Sequence, residues 1–361
     1  MGTSNVKNVK ETKSYHEQKY VDNTLRLRAI LKTLPPFAGD YFRAVEPTTS
    51  ARTRISYAYD IRVFFHFLME NNPVYKDYTI DQFTLSDLEK LEPVDIEEYQ
   101  EYLKVYENED NKRITNTEKG LARKMSALRT FYGYFYKRQA ISKNPTLLVD
   151  MPKLHEKAII RLDADEVAKL LDYVDHGGDN LTGQRKAYFE KTKNRDLAIL
   201  TLLLGTGIRV SECVGLDIQD VDFKNNGIKV TRKGGNEMVV YFGEEVENAL
   251  KSYLYTTRKT MVPLPGHENA LFLSTQRRRM GVQAVENMVR KYAREVTPNK
   301  KITPHKLRST YGTALYKETG DIYLVADVLG HKDVNTTKKH YAAIDENRRR
   351  QAAGAVKLRD V

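Results

Sequence analysis

The sequence predicts a mainly α-helical protein of two domains, with a small antiparallel β-sheet in the second. Three observations carry this expectation. The chain has 361 residues, long enough for two domains that each bury a core. Apolar residues recur at helical spacing through most of its length. One stretch, "GIKVTRKGGNEMVVYF", instead alternates around a Gly-Gly turn and reads as a β-hairpin.

Residues 1–20 are polar and lysine-rich and read as a mobile tail or a weakly helical arm. From 21 to 145 the pattern is helical, and this span is the expected first domain. "ISYAYDIRVFFHFLMENN" places Ile55, Tyr59, Val63, Phe64 and Phe67 near one face and ends in Asn-Asn-Pro. "LEPVDIEEYQEYLKVY" opens with Pro93 and Asp95 and repeats the spacing with Ile96, Tyr99 and Leu103. "NTEKGLARKMSALRTFYGYFYKRQ" carries Leu121, Met125, Leu128, Phe131, Tyr132 and Phe135 on one side, with Lys119, Arg123, Lys124 and Arg129 at its other positions. Such a basic face is either solvated surface or a contact for a polyanion.

The next stretch, "KNPTLLVDMPKLHEKAIIRLDADEV", has two prolines and few apolar periods. It predicts an extended linker at 146–158, long enough to carry the chain across a ligand. A second domain follows at 159–345. "DADEVAKLLDYV" is a capped helix and "NRDLAILTLLLGTG" a buried one; the hairpin comes next. "AVENMVRKYAREV", "PHKLRSTYGTALYKETG" and "DIYLVADVLGH" are further helices, and 346–361 is a basic C-terminal helix or tail. No internal repeat is visible.

Lys and Arg number 59 against 48 Asp and Glu, a formal net charge of +11. A polyanion, most simply nucleic acid, is the partner this balance implies; a basic protein that binds none is the alternative. The one cysteine, Cys213, excludes an intramolecular disulfide and a multi-cysteine zinc site, and fits a reducing cytoplasm. No apolar run has the length of a signal core or a membrane span, so a soluble, cytoplasmic protein is expected.

Four clusters place polar residues where packing alone does not ask for them. In "GTGIRVSECVGL", Arg209 follows a helix end and Glu212 stands three residues on. The pair is either an oriented anion contact or a structural ion pair. In "VTRKGGNE", Lys233 sits at a hairpin tip, as an outward-reaching ammonium or an ordinary basic turn. In "TPHKLRSTYGTAL", His305 and Arg308 share a face near a helix start, which suits a phosphate; a packed histidine beside a solvated arginine is the plainer reading. In "LGHKDVNTTKKHY", His331 stands at a turn and Tyr341 ten residues later.

Together these clusters, in the order Arg, Lys, His-x-x-Arg, His, Tyr, resemble the tyrosine recombinases, which share a catalytic domain with phage integrases. The matching stretches are "TGIRVSEC", "TRKGG", "PHKLRSTYGT" and "LGHKDVNTTKKHY", and the likeness covers about 160–345. Within the family the chain looks most like the Xer group, nearest the single-recombinase XerS type. It departs at Ser309-Thr310, where many relatives carry His-Thr; Ser309 is not a catalytic position in the family pattern.

The resemblance implies a helical core-binding domain and a catalytic domain that close as a clamp on DNA. It implies that Tyr341 attacks the scissile phosphate to give a 3′-phosphotyrosine, and that Arg209, Arg308 and His331 hold the phosphate. Lys233 would protonate the leaving 5′ oxygen, His305 would move a proton near the nucleophile, and Glu212 would orient its neighbours. Such chemistry stores the bond energy in the protein–DNA ester and needs no ATP, metal or other cofactor. The sequence contains neither a phosphate-binding "GxxxxGK[ST]" loop nor zinc-spaced ligands.

The implied partners are a double-stranded recombination site with two binding arms and a homotetramer on two duplexes, linked by the C-terminal segment. A septal DNA translocase is a candidate activator. Arg123, Lys124, Arg277, Arg278 and Arg279 are candidate DNA contacts. The role expected is Xer-type resolution of chromosome dimers. Integration or excision of a mobile element and DNA inversion use the same chemistry. A type IB topoisomerase and a catalytically inactive DNA-binding factor are the rivals.

Overall fold

Side-chain caps set where several helices begin. The computed structural model describes residues 14–155, 159–232, 235–331 and 333–334. The chain divides into two compact units, residues 1–157 and 158–361.

In the first unit the helices are α1 (Tyr15–Leu31), α2 (Ala38–Ala44), α3 (Ala51–Asn71), α4 (Leu85–Lys90), α5 (Pro93–Tyr102) and α6 (Glu118–Lys137). Ser14 and Glu17 form a capping box on α1, and Ser50 accepts the Thr53 amide at 3.2 Å to start α3. The core is aromatic: Phe64 and Phe65 of α3, Tyr99 of α5, and Phe131 and Tyr132 of α6 are fully buried. Phe64 meets Tyr99 edge-on at 5.0 Å, a geometry worth about 0.5–1.5 kcal/mol beyond the area buried. The buried tyrosine hydroxyls find acceptors, Tyr99 on the Asp60 carbonyl and Tyr132 on that of Leu88.

The buried face of α3 is turned from the expected one. Ile61, Phe65 and Leu68 join Ile55, Phe64 and Phe67 in the core, while Tyr59 and Val63 are half-buried. Apolar residues are spread around nearly every side of the segment, so its packing between α1, α5 and α6 chooses the face. Tyr59 lies beneath the guanidinium groups of Arg26 and Arg62. This unit also holds a hairpin absent from the helical expectation, β1 (Val105–Glu107) paired with β2 (Arg113–Thr115). Its three-residue strands and charged tip offer no readable period. The start of the expected linker at 146–158 is instead packed onto the first unit: a turn at Pro145–Leu147 lies against α6, where Arg129 donates to the carbonyls of Thr146 (3.0 Å) and Val149.

The second unit begins with α7 (Ala164–His176), capped by Asp163 and Glu166, and α8 (Gly183–Thr206). Residues 198–203 of α8 are almost wholly buried against α7 and two later helices, α10 (Glu244–Ser252) and α12 (Pro304–Thr319). Between them come α9 (Val210–Gly215) and the antiparallel sheet β3 (Val221–Asp222), β4 (Gly227–Thr231) and β5 (Glu237–Tyr241), in that spatial order. Helices α11 (Val282–Val296) and α13 (Ile322–Leu329) complete the described part. Left-handed glycines end α8, α12 and α13. The C-terminal helix expected at 346–361 lies outside the described residues, as do residues 1–13. Among the described residues no helix is long and apolar enough to cross a membrane.

Candidate active site

The C-terminus of α13 is where the candidate residues converge. A helix end leaves carbonyls without intrahelical partners, and the aligned peptide dipoles make it negative. Three consecutive carbonyls here each accept from an arginine of a different element. Val328 accepts from Arg232 Nη2 at 2.8 Å, Leu329 from Arg308 Nη2, and Gly330 from Arg209 Nη2 at 3.2 Å.

Local sequence explains how each arginine arrives. Gly207, at φ +63°, ends α8 and turns its carbonyl to Arg308 Nη1 at 2.5 Å. A Cβ at Gly207 would stand 2.4 Å from the Tyr311 ring, so only glycine fits this approach. Arg209 then caps α9, with Glu212 in the first turn. The buried Glu212 carboxylate accepts the Arg209 amide at 2.7 Å and its guanidinium at 2.8 Å. Arg308 is buried one turn into α12. Arg232 stands just beyond β4, at the turn of the hairpin.

The electrostatics leave this cluster positive. Burial lowers the Arg232 pKa from its ordinary value; Glu212 opposes that shift, Arg209 adds to it, and Asp327 opposes it. An arginine so shifted still carries its charge at neutral pH. Among the described residues, Arg209, Arg232 and Arg308 gather at the end of α13, and the acidic groups acting on Arg232 are Glu212 and Asp327; three cations to two carboxylates favour an added anion such as a phosphate. Next to Glu212, burial and that carboxylate raise the Cys213 thiol to about 12, so it stays protonated and inert.

The structure thus brings Arg209, Glu212 and Arg308 together. His331 follows Gly330 directly, half-buried, its amide closing the α13 end on the Ala326 carbonyl at 2.9 Å. His305 is exposed in the first turn of α12, and its carbonyl accepts the Ser309 hydroxyl at 3.1 Å. Lys233 and Tyr341 lie outside the described residues. Sequence reasoning passes over Arg232 in favour of its neighbour Lys233; the signal for it is the pair of cations at the hairpin turn.

The candidate DNA contacts divide. Arg277 and Arg278 are exposed on a turn, Arg277 at φ +63°. Arg123 is half-exposed but pairs with the buried Asp60. Lys124 is only 7% exposed and donates to Asp60 at 3.2 Å. The Arg279 side chain, 9% exposed, holds the carbonyls of Val214 and Leu216 and pairs with Asp217. Lys124 and Arg279 are therefore internal cations rather than surface ones. Among the described residues no group of three acidic, histidine or cysteine side chains could hold a metal ion.

Comparison with known proteins agrees with this arrangement. The phage integrase family model matches residues 160–348. The chain is 34% identical over 319 residues to the tyrosine recombinase XerC of Caldanaerobacter subterraneus subsp. tengcongensis, covering 87% of this chain and 83% of that one. It is 30% identical over 344 residues to the tyrosine recombinase XerS of Streptococcus equi subsp. equi, covering 88% and 94%. Two solved structures share the fold. XerH recombinase bound to palindromic difH, in a post-cleavage complex, superposes with a TM-score of 0.61 at 18% identity, covering 84% of this chain and 78% of that one. A lambda integrase dimer bound to a COC′ core site gives 0.56 at 16%, covering 84% and 93%. The chain belongs to the phage integrase family, in its Xer group of tyrosine recombinases, enzymes that cut and rejoin DNA at specific sites.

Proposed function

We propose that Arg209 and Arg308, which meet at the end of α13, hold the scissile phosphate while Tyr341 attacks it. The observation that carries this reading is the meeting of Arg209 and Arg308 on adjacent carbonyls, with Glu212 orienting one of them. In the proposed reaction the Tyr341 oxygen bonds to phosphorus and the bond to the 5′ oxygen breaks. A 3′-phosphotyrosine and a 5′-hydroxyl result. Lys233 gives its proton to the leaving oxygen, His331 donates to the phosphate, and His305 exchanges a proton near the nucleophile. Arginine suits the first role because its paired donors match non-bridging oxygens and its charge is not titrated away. A 5′-hydroxyl from the partner strand reverses the reaction and rejoins the DNA through a Holliday junction.

The proposed setting is a homotetramer on two duplexes, acting in the cytoplasm on a short site with two arms. The biological role is resolution of chromosome dimers at cell division, with a septal DNA translocase as activator. Likeness over nearly the whole length of the XerS relative supports that role above mobile-element integration, excision or inversion.

A nicked suicide substrate tests the chemistry. Wild-type protein should become covalently joined to DNA, and Tyr341→Phe should not. Adduct formation by both proteins, or by neither, contradicts the assignment of Tyr341.

A further inference from the structure

Arg232 joins two parts of the fold that lie far apart in sequence. Its backbone closes the hairpin turn from both sides: its amide donates to the Asn236 carbonyl at 2.7 Å, and its carbonyl accepts the Gly235 amide at 3.0 Å. Its side chain leaves the hairpin and donates to Val328 at the end of α13. The guanidinium occupies the space beside Gly330, where a Cβ would stand 1.7 Å from Nη1 and 2.2 Å from Cζ.

Hairpin stability does not explain this contact. The β4–β5 ladder is paired from Gly227↔Tyr241 to Thr231↔Glu237 without it. The contact also carries a cost, because Arg232 Nε is buried and finds no acceptor among the described residues. A side chain kept there only to fill space would avoid that cost. What the contact does provide is a tie between Arg232, just beyond β4, and the end of α13.

We propose that Arg232 is a positioning residue: its tie from the end of β4 to the end of α13 serves the action of Lys233, the next residue in the chain, on the leaving oxygen. This rests on the reading of Lys233 as the proton donor. Arg232 itself then need not touch the DNA.

The test compares single-turnover cleavage of two suicide substrates, one with the natural 5′-bridging oxygen and one with sulfur at that atom. A thiolate leaves without a proton donor, so the sulfur substrate bypasses the step in question. Wild type, Arg232→Ala, Arg232→Lys and Lys233→Ala are compared, with circular dichroism and DNA gel shifts as controls for fold and binding. General acid catalysis contributes about 10²–10⁴-fold, so Arg232→Ala should cleave the oxygen substrate at least about 10-fold slower. On the sulfur substrate it should approach the wild-type rate. Arg232→Lys should show a smaller defect of the same kind, and it carries the comparison if Arg232→Ala does not fold.

If Arg232→Ala slows both substrates equally, or neither, while Lys233→Ala is rescued by sulfur, the positioning role is overturned and the proton-donor reading stands. If Lys233→Ala is slowed equally on both, the proton-donor reading falls and this proposal with it.

Discussion

Glu212 holds Arg209 twice, through the backbone amide at 2.7 Å and the guanidinium at 2.8 Å, while Glu212 itself is buried. One carboxylate therefore caps α9 and aims the arginine that reaches Gly330. Arg209→Ala should lower suicide-substrate cleavage by about 100-fold or more, as for loss of a donor to transition-state charge. It should also cost about 1–3 kcal/mol in urea denaturation, because Glu212 is left buried without its cation. Adding Glu212→Gln should restore part of that stability and none of the cleavage. A double variant less stable than Arg209→Ala would show that Glu212 is not stranded by the single change.

Gly330 serves two needs at once. Its φ of +63° ends α13 in the left-handed region, and its missing Cβ admits the Arg232 guanidinium. Gly330→Ala should cost about 1–2 kcal/mol from the backbone conformation alone. A further loss should come from displacing Arg232, and this part should shrink when Arg232 is already alanine. Denaturant midpoints of the two single variants and the double variant measure the coupling; strict additivity would show that the side chain moves aside at no cost.

Cys213 makes alkaline stability testable. Its thiol ordinarily titrates near 9.0 and is raised to about 12 in the folded protein. Between these values the unfolded chain has lost the proton and the folded chain still holds it. Stability from this group is thus present below pH 9 and falls as pH rises above it, by about 1.4 kcal/mol per pH unit. Cys213→Ser should flatten the stability curve between pH 9 and 10, before the tyrosines contribute. In the native protein at pH 8, iodoacetamide should label Cys213 far more slowly than in urea. Equal labelling rates would mean that the α9 region opens readily.

The basic side chains should separate by the property they affect. Arg277→Ala with Arg278→Ala should reduce the slope of log affinity against log salt by about 1–2, roughly 0.9 for each phosphate no longer neutralised. Lys124→Ala should leave that slope unchanged and instead cost about 1 kcal/mol of stability, because Lys124 is spent on buried Asp60. Filter binding across a salt series distinguishes the two. An unchanged slope in the Arg277/Arg278 variant would remove those residues from the DNA interface.

Much of this protein was legible without coordinates. The apolar period placed the long helices, the Gly-Gly alternation placed β4–β5, and the resemblance of "TGIRVSEC", "PHKLRSTYGT" and "LGHK" to the tyrosine recombinases made Arg209, Glu212, Arg308 and His331 candidates. Such signals are local, because caps, glycine stops and strand alternation act over a few residues. The β1–β2 hairpin escaped because its strands are shorter than any period they could display.

What only the tertiary structure decided was the pairing of charges. Lys124 and Asp60 are 64 residues apart, and nothing near Lys124 says that its charge is already taken. The arginine cluster was hidden more deeply. Arg209 and Arg232 reach carbonyls 121 and 96 residues away, at the end of α13. A side-chain partner leaves a residue type to be read, but every residue carries a backbone carbonyl. Only the folded chain shows which carbonyls a helix end has left open, and which arginines fill them.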